Sequence, residues 1–258
     1  MVVIVAIALG IWAEMFMSGF ATGMAKSYVN NAIKNIISHI QIHHPDYADE
    51  NDAKKRIEQP ADVTERVKEM PSVQAVSVRS LANGMISTAQ GARGIRVKGI
   101  LPEDEARTSA LDSNILEGDY LAADRRNPIL ISRELADKLN ANVRSKMVLT
   151  FQNLNNEIVA GAFRVTGIYD TGNRGFNESH VFVMRNDLNR LLLGGKEAAD
   201  TTDFEVAHEI AIILNDADQL ESVDQKLEQA FPDLKVETYR EISPELQLYE
   251  SQIQSISA

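Results

Sequence analysis

Apolar residues crowd the start of the chain and then thin abruptly. Residues 1–24, MVVIVAIALGIWAEMFMSGFATGM, hold a single charge, Glu14. As a helix rising about 1.5 Å per residue, this run is roughly 36 Å long, enough to cross a hydrocarbon core of about 30 Å. A signal peptide fits poorly, because no basic residue precedes the run and no small-x-small site follows it. A buried helix of a soluble protein is the competing reading. A carboxyl at mid-bilayer is costly unless it faces protein or lies near an interface. We expect a membrane-spanning helix, with an upstream flank and later membrane helices lying outside this sequence.

Beyond Ala25 the pattern changes to stripes and alternations. Val29, Ile33, Ile36 and Ile40, spaced four, three and four, mark one face of a helix that continues out of the membrane. His39 to His44 alternates as a short strand. Asp62-Val-Thr-Glu65 reads as a capping box before a helix with Val63, Val67 and Met70 on one face, stopped by Pro71. Val73 to Val78 is a strand. Gly94 to Ile100 is another, with Ile95, Val97 and Gly99 on one face and Arg96 and Lys98 on a face expected to meet solvent. Near the C-terminus the arrangement recurs. A strand from Glu209 to Leu214 is followed by an Asp216-capped helix bearing Leu220, Val223, Leu227 and Ala230, then Pro232, then the strand Leu234, Val236, Thr238. Two such βαβ halves build an antiparallel sheet with helices on one face, a ferredoxin-like layer.

The segment between the halves is strand-rich: Ile129–Ile131, a Ser132-capped helix through Leu135 and Leu139, Met147–Phe151, Ile158–Tyr169 and Val181–Met184, then a Leu-rich helix closed by Gly194. Ser243-Pro244 opens a last helix with the stripe Leu246, Tyr249, Ile253 and Ile256. The fold class is therefore α+β, divided as 1–38 membrane helix and stalk, 39–107 first half, 108–204 insertion, 205–241 second half and 242–258 returning stalk.

Charge and composition narrow the chemistry. A net charge of −11 over 258 residues argues against nucleic-acid binding, and the absence of cysteine excludes thiolate metal sites and disulfides. Gly194-Gly-Lys-Glu197 lacks the flanking residues of a phosphate loop. Five histidines occur, but the adjacent His43 and His44 point to opposite faces of a strand, so no metal site is expected. Ser132, Ser179 and Ser243 stand in no nucleophile context. No catalytic constellation or cofactor site emerges.

The order of these features resembles the large extracytoplasmic domain of FtsX-like, MacB-type ABC transporter permeases, together with the end of their first membrane helix. The residues that carry the resemblance are Ala8-Leu-Gly-Ile11, His39-Ile-Gln-Ile42, Val97-Lys-Gly-Ile-Leu-Pro-Glu103 and Leu116-Glu-Gly118. Further on they are Ile129-Leu-Ile-Ser-Arg-Glu-Leu-Ala136 with Leu139, Phe163-Arg-Val-Thr-Gly-Ile-Tyr-Asp-Thr-Gly172 and Ile242-Ser-Pro-Glu-Leu246. The resemblance implies a porter lobe of two βαβ halves interrupted by a strand-rich sabre lobe, flanked by two stalk helices. It also implies a dimer with a second permease subunit, a cytoplasmic ATP-binding subunit that holds the ATPase activity, and a periplasmic carrier or outer-membrane component as a further partner. The implied location is the inner membrane with the main domain outside it, and the implied role is handling of a lipoprotein or other amphiphile. Regulation of a cell-wall hydrolase by mechanotransmission is the alternative.

Where the family often has Gly-Asp after the Leu139 helix, this chain has Arg144-Ser145. The turn from Gln152 to Asn156 is also too short, and lacks the Pro, for the carrier-hooking loop of one lipoprotein-release subtype. The expected coupling residues are Val29, Ile33, Ile36, Ile40, Leu246, Tyr249, Ile253 and Ile256. Asn153, Asn155, Asn156, Asn173, Arg174 and Phe176 are the expected partner-facing loop residues.

Overall fold

The computed structural model describes residues 2–47, 52–194 and 206–249. The first element, α1 (Val2–Ala32), is a single apolar helix that projects from the body and widens into a π-helical turn at Ile33–Ile37. Ser38, at φ 70°, breaks the helix, and its N–H caps the Ile33 carbonyl at 2.9 Å. Ile40, expected at the end of the helical stripe, therefore sits in strand β1 (Ile40–His43). Ile37 completes the buried helical face with Val29 and Ile33.

The porter layer follows the sequence expectation closely. Helix α2 (Pro60–Lys68) leads into β2 (Val73–Ser87), and β9 (Glu209–Leu214) and β10 (Lys235–Thr238) form the second half. The strands lie in the order β10-β1-β9-β2 with every neighbouring pair antiparallel, the ferredoxin-like arrangement. Asp62 does not cap α2. The helix starts two residues earlier, with Pro60 at its first position and its missing N–H harmless there. Asp216 caps a single 3-10 turn that feeds the helix Leu220–Ala230.

The second lobe is a closed barrel. After Arg79, β2 leaves β9 and pairs with β3 (Ala92–Ile100) and β6 (Lys146–Gln152). The ring continues from β3 to β8 (His180–Met184), β5 (Pro128–Ser132) and β7 (Ile158–Tyr169), and β6 closes it between β7 and β2. A short strand, β4 (Ile115–Gly118), extends the wall beside β7. Gly84 makes closure feasible: a Cβ there would stand 2.3 Å from the Thr150 carbonyl oxygen. The barrel is filled by Ile86, Ile95, Val97, Ile131, Leu149 and Phe163, and plugged by Leu135 and Leu139 from one helix and Leu188 and Leu192 from another. Ser132 caps the first of these helices through a 3.1 Å bond from the Leu135 N–H. The boundary expected at 108 accordingly moves: residues 80–100 belong to the barrel, because their hydrogen bonds go to β6 and β8 rather than to the porter sheet.

Candidate functional site

Three strands and a helix converge where β2 passes from the porter sheet into the barrel. Arg79, at the end of the porter half of β2, is buried and grips two carboxylates. Its Nε and Nη2 donate to Glu105 at 2.9 and 2.6 Å, and its Nη1 donates to Glu209 at 2.5 Å. Glu105 comes from α3 (Pro102–Thr108), just after β3, and also accepts from Ser77 Oγ at 2.8 Å. Lys98, on β3, lies 3.7 Å from Glu209 and 5.8 Å above the Phe176 ring. Against the burial that pushes carboxyls up, Arg79 and the Ser77 hydroxyl hold Glu105 low. Against the same effect, Lys98 and Arg79 hold Glu209 well below the carboxylate range. Burial pulls Lys98 down more strongly than Glu209 raises it. The bidentate Arg79–Glu105 fork is thus the firm part of the cluster, and Lys98 is its softer member.

A histidine layer adjoins it. His208, buried, accepts from the Leu81 N–H at 3.0 Å and donates from Nε2 to the Ala53 carbonyl at 2.8 Å, which fixes the neutral tautomer. His43 Nδ1 donates to the His208 carbonyl at 3.0 Å, and Tyr47 lies between the two imidazoles, with ring centroids 5.8 and 5.6 Å away. Burial lowers both histidines. Among the described residues no group of three His, Asp or Glu is arranged to hold a metal.

The end of the stalk is buried in the porter core. Val29, Ile33, Ile37, Ile40 and Leu246 are buried in the same porter core as Ile210 and Ile212. Burying each such side chain is worth about 1.5–3 kcal/mol, so the last turn of α1, through Val29 and Ala32, and the π-turn after it are anchored in the porter core. Tyr28 on α1 meets Tyr249 on the returning helix (244–249), with ring centroids 4.9 Å apart. Ile36 lies in the π-turn, whereas Ile253 and Ile256 fall outside the described residues. The π-turn also docks onto the segment that leads to β4: the Lys34 carbonyl accepts from the Ala110 N–H at 2.9 Å, and Asn35 Oδ1 accepts from Asn114 Nδ2 at 2.6 Å.

The loop residues divide. Asn155, Asn156 and Arg174 are exposed. Asn173 caps the short helix Arg174–Asn177 by accepting from the Phe176 N–H at 3.0 Å. Asn153 and Phe176 are buried. Asn153 is buried and folds its own turn by accepting from the Asn155 and Glu157 N–H groups. Phe176 packs against the outer barrel wall, stacked 4.0 Å from His180. Lys98, expected on a solvated face, is also buried, because α3 and β9 cover that side of β3 where it joins the porter layer. The charge cluster itself was not anticipated. Its only sequence trace is a charged residue amid apolar strand residues in Val78-Arg79-Ser80, Val97-Lys98-Gly99 and His208-Glu209-Ile210.

The described residues thus form a ferredoxin-like layer that carries a barrel and follows a helix long and apolar enough to cross a membrane. The profile of the MacB-like periplasmic core domain matches residues 1–230, and the chain belongs to that family. It is the extracytoplasmic domain of a MacB/FtsX-type ABC transporter permease, a class whose members work with an ATP-binding subunit. The fold is similar to the crystal structure of the extracellular domain of the noncanonic ABC-type transporter YknZ from Gram-positive bacteria. That match has a TM-score of 0.50 at 15% identity and covers 78% of this chain and 99% of that one. The periplasmic region of MacB from Actinobacillus actinomycetemcomitans matches with a TM-score of 0.48 at 12% identity, over 84% of this chain and 92% of that one. No curated protein sequence matches the chain.

Proposed function

We propose that this domain transmits movement of the membrane helices, driven by ATP hydrolysis in a cytoplasmic subunit, to the barrel, which handles a lipoprotein or other amphiphile outside the inner membrane. The observation that carries the reading is the burial of the end of the stalk in the porter core, with Arg79 tying porter strands β2 and β9 to α3 and Glu209 reaching Lys98 on the barrel strand β3. A packed path with two defined arrangements passes a bias between distant sites. The outer face of β2, β6 and β7 suits an apolar ligand: Met85, Val148 and Ile158 are exposed there beside Thr150, Ala160 and Ala162, with no acidic side chain among them. The expected dimer supplies a second stalk and barrel.

The test uses the full permease with its ATP-binding subunit in proteoliposomes. Three glycines inserted after Ala25 should preserve ATP hydrolysis and abolish substrate release, because a flexible break in α1 removes the lever. Release at the wild-type rate would refute the reading. Mass spectrometry of what co-purifies with the intact complex identifies the substrate class, and recovery of a cell-wall hydrolase in place of an amphiphile would favour the regulatory role.

A further inference from the structure

The apolar helix does not offer the same chemistry on all sides. Trp12, Phe16 and Phe20 stand one turn apart as a ladder, with ring centroids 5.7 and 6.4 Å apart. At 3.6 residues per turn, Glu14 lies on the opposite side of the helix from Phe16, in line with Gly10, Ser18 and Ala21. The surface beside Gly10 is open, with nothing within 4 Å of where a Cβ would stand. Lys26 is the next charged residue after Glu14, twelve positions on and so about 18 Å along the axis. Half the hydrocarbon thickness is about 15 Å, which sets the Glu14 carboxyl near the midplane of the bilayer. No described residue gives it a hydrogen bond or an ion pair.

We propose that the Glu14 face of α1 is a helix–helix interface of the assembled permease, covered by a transmembrane helix outside this sequence that presents a cationic or amide hydrogen-bond donor to the Glu14 carboxyl. The proposal rests on the membrane placement of α1. Charge complementarity selects the occupant. Lipid chains have no donor to offer, and the same face of a second α1 would set two carboxyls against each other. The aromatic ladder, bulky and wholly apolar, is the side suited to lipid. An intramembrane acid is tolerated where it faces protein and finds a partner, and the small residues in line with it let another helix approach.

The experiment places a photo-crosslinking amino acid in turn at Gly10, Ser18 and Ala21, and at Trp12, Phe16 and Phe20, in cells making the full permease. Adducts are identified by mass spectrometry. Protein adducts from the first set and phospholipid adducts from the second are expected. In the Gly10 and Ser18 probes, Glu14→Leu should lower the protein-adduct yield about three- to tenfold, the value of a hydrogen bond between membrane helices, while Glu14→Gln keeps most of it. Neither change threatens the folded ectodomain. Phospholipid or substrate adducts from the Glu14 face, protein adducts from the aromatic face, or an unchanged yield in Glu14→Leu would each overturn the interface. Absence of lipid adducts from the aromatic face would instead overturn the membrane placement beneath it.

Discussion

Replacing Arg79 by Met tests whether the charge cluster holds the two lobes together. Met fills most of the arginine's volume and removes the cation together with its three hydrogen bonds to Glu105 and Glu209. Arg79 and both its carboxylates have side chains no more than 5% exposed. Without the guanidinium, Glu105 keeps a single donor, the Ser77 hydroxyl, while Glu209 retains Lys98 at 3.7 Å. Breaking a buried pair by removing one partner costs about 3–5 kcal/mol, chiefly through the charge left behind. Adding Glu105→Leu removes that charge, so the double variant should recover most of the loss. Denaturant unfolding of the detergent-solubilised chain gives both values. The pH dependence supplies an independent check. In the single variant Glu105 has lost the charge that held its pKa low, so protonation relieves it, and the deficit relative to wild type should shrink from pH 8 to pH 5. An Arg79→Met loss below about 1 kcal/mol, or a double variant as unstable as the single one, would refute the assignment of the cluster as a clamp.

Three further outcomes follow from local geometry. Gly84→Val should cost about 2 kcal/mol or more and loosen the barrel in near-UV circular dichroism, since its Cβ would stand 2.3 Å from the Thr150 carbonyl oxygen, whereas Gly94→Ala on the paired strand, with nothing within 4 Å, should stay within about 0.5 kcal/mol. Arg144 holds φ 77° with its N–H bonded to the Val165 carbonyl at 2.8 Å, so Arg144→Gly should raise the melting point by relieving about 1 kcal/mol of backbone strain. His208, pulled down to about 4 by burial, stays neutral in the folded state while the unfolded chain takes up a proton near 6.5, so stability should fall as pH drops from 6.5 to 4. Partial burial raises Asp224 to about 6, which works in the opposite direction over that range, so Asp224→Asn should steepen the loss in thermal melts.

The porter layer was legible because each of its helices shows a one-sided apolar stripe and each strand is bounded by Pro or Asp. Both βαβ halves were found from residues such as Val63, Val67, Val223 and Leu227, all of which are buried. The barrel was only half legible. Its strands could be located, but a 15-residue β2 that serves two sheets looks in sequence like a short strand followed by a loop, since Ala82-Asn-Gly84 resembles a turn. Periodicity misplaced Lys98 for a related reason. Alternation identifies the two faces of a strand without saying what covers the second one. Ile40, which the pattern places both in the helical stripe and in the strand His39–His44, belongs to the strand, because Ser38 at φ 70° ends the helix before it. Phe176 and Asn153 were judged from their loop-like neighbours. Their burial depends on contacts made with His180 and Glu157 after the chain has closed on itself.

The shared strand has a consequence for how relatives of this chain can diverge. Because β2 is paired with β9 over one half and with β3 and β6 over the other, a single register serves both lobes. Deleting one residue at Ser80 would leave the porter half in place and turn Ala82 and Ile86 out of the barrel in one step, because strand side chains alternate with period two. Loops can lengthen or vanish without that penalty. Across relatives as distant as 15% identity, the residue count of β2 should therefore vary less than that of any loop, and circular permutants opened within β2 should fail where those opened at the Asn155-Asn156 turn succeed.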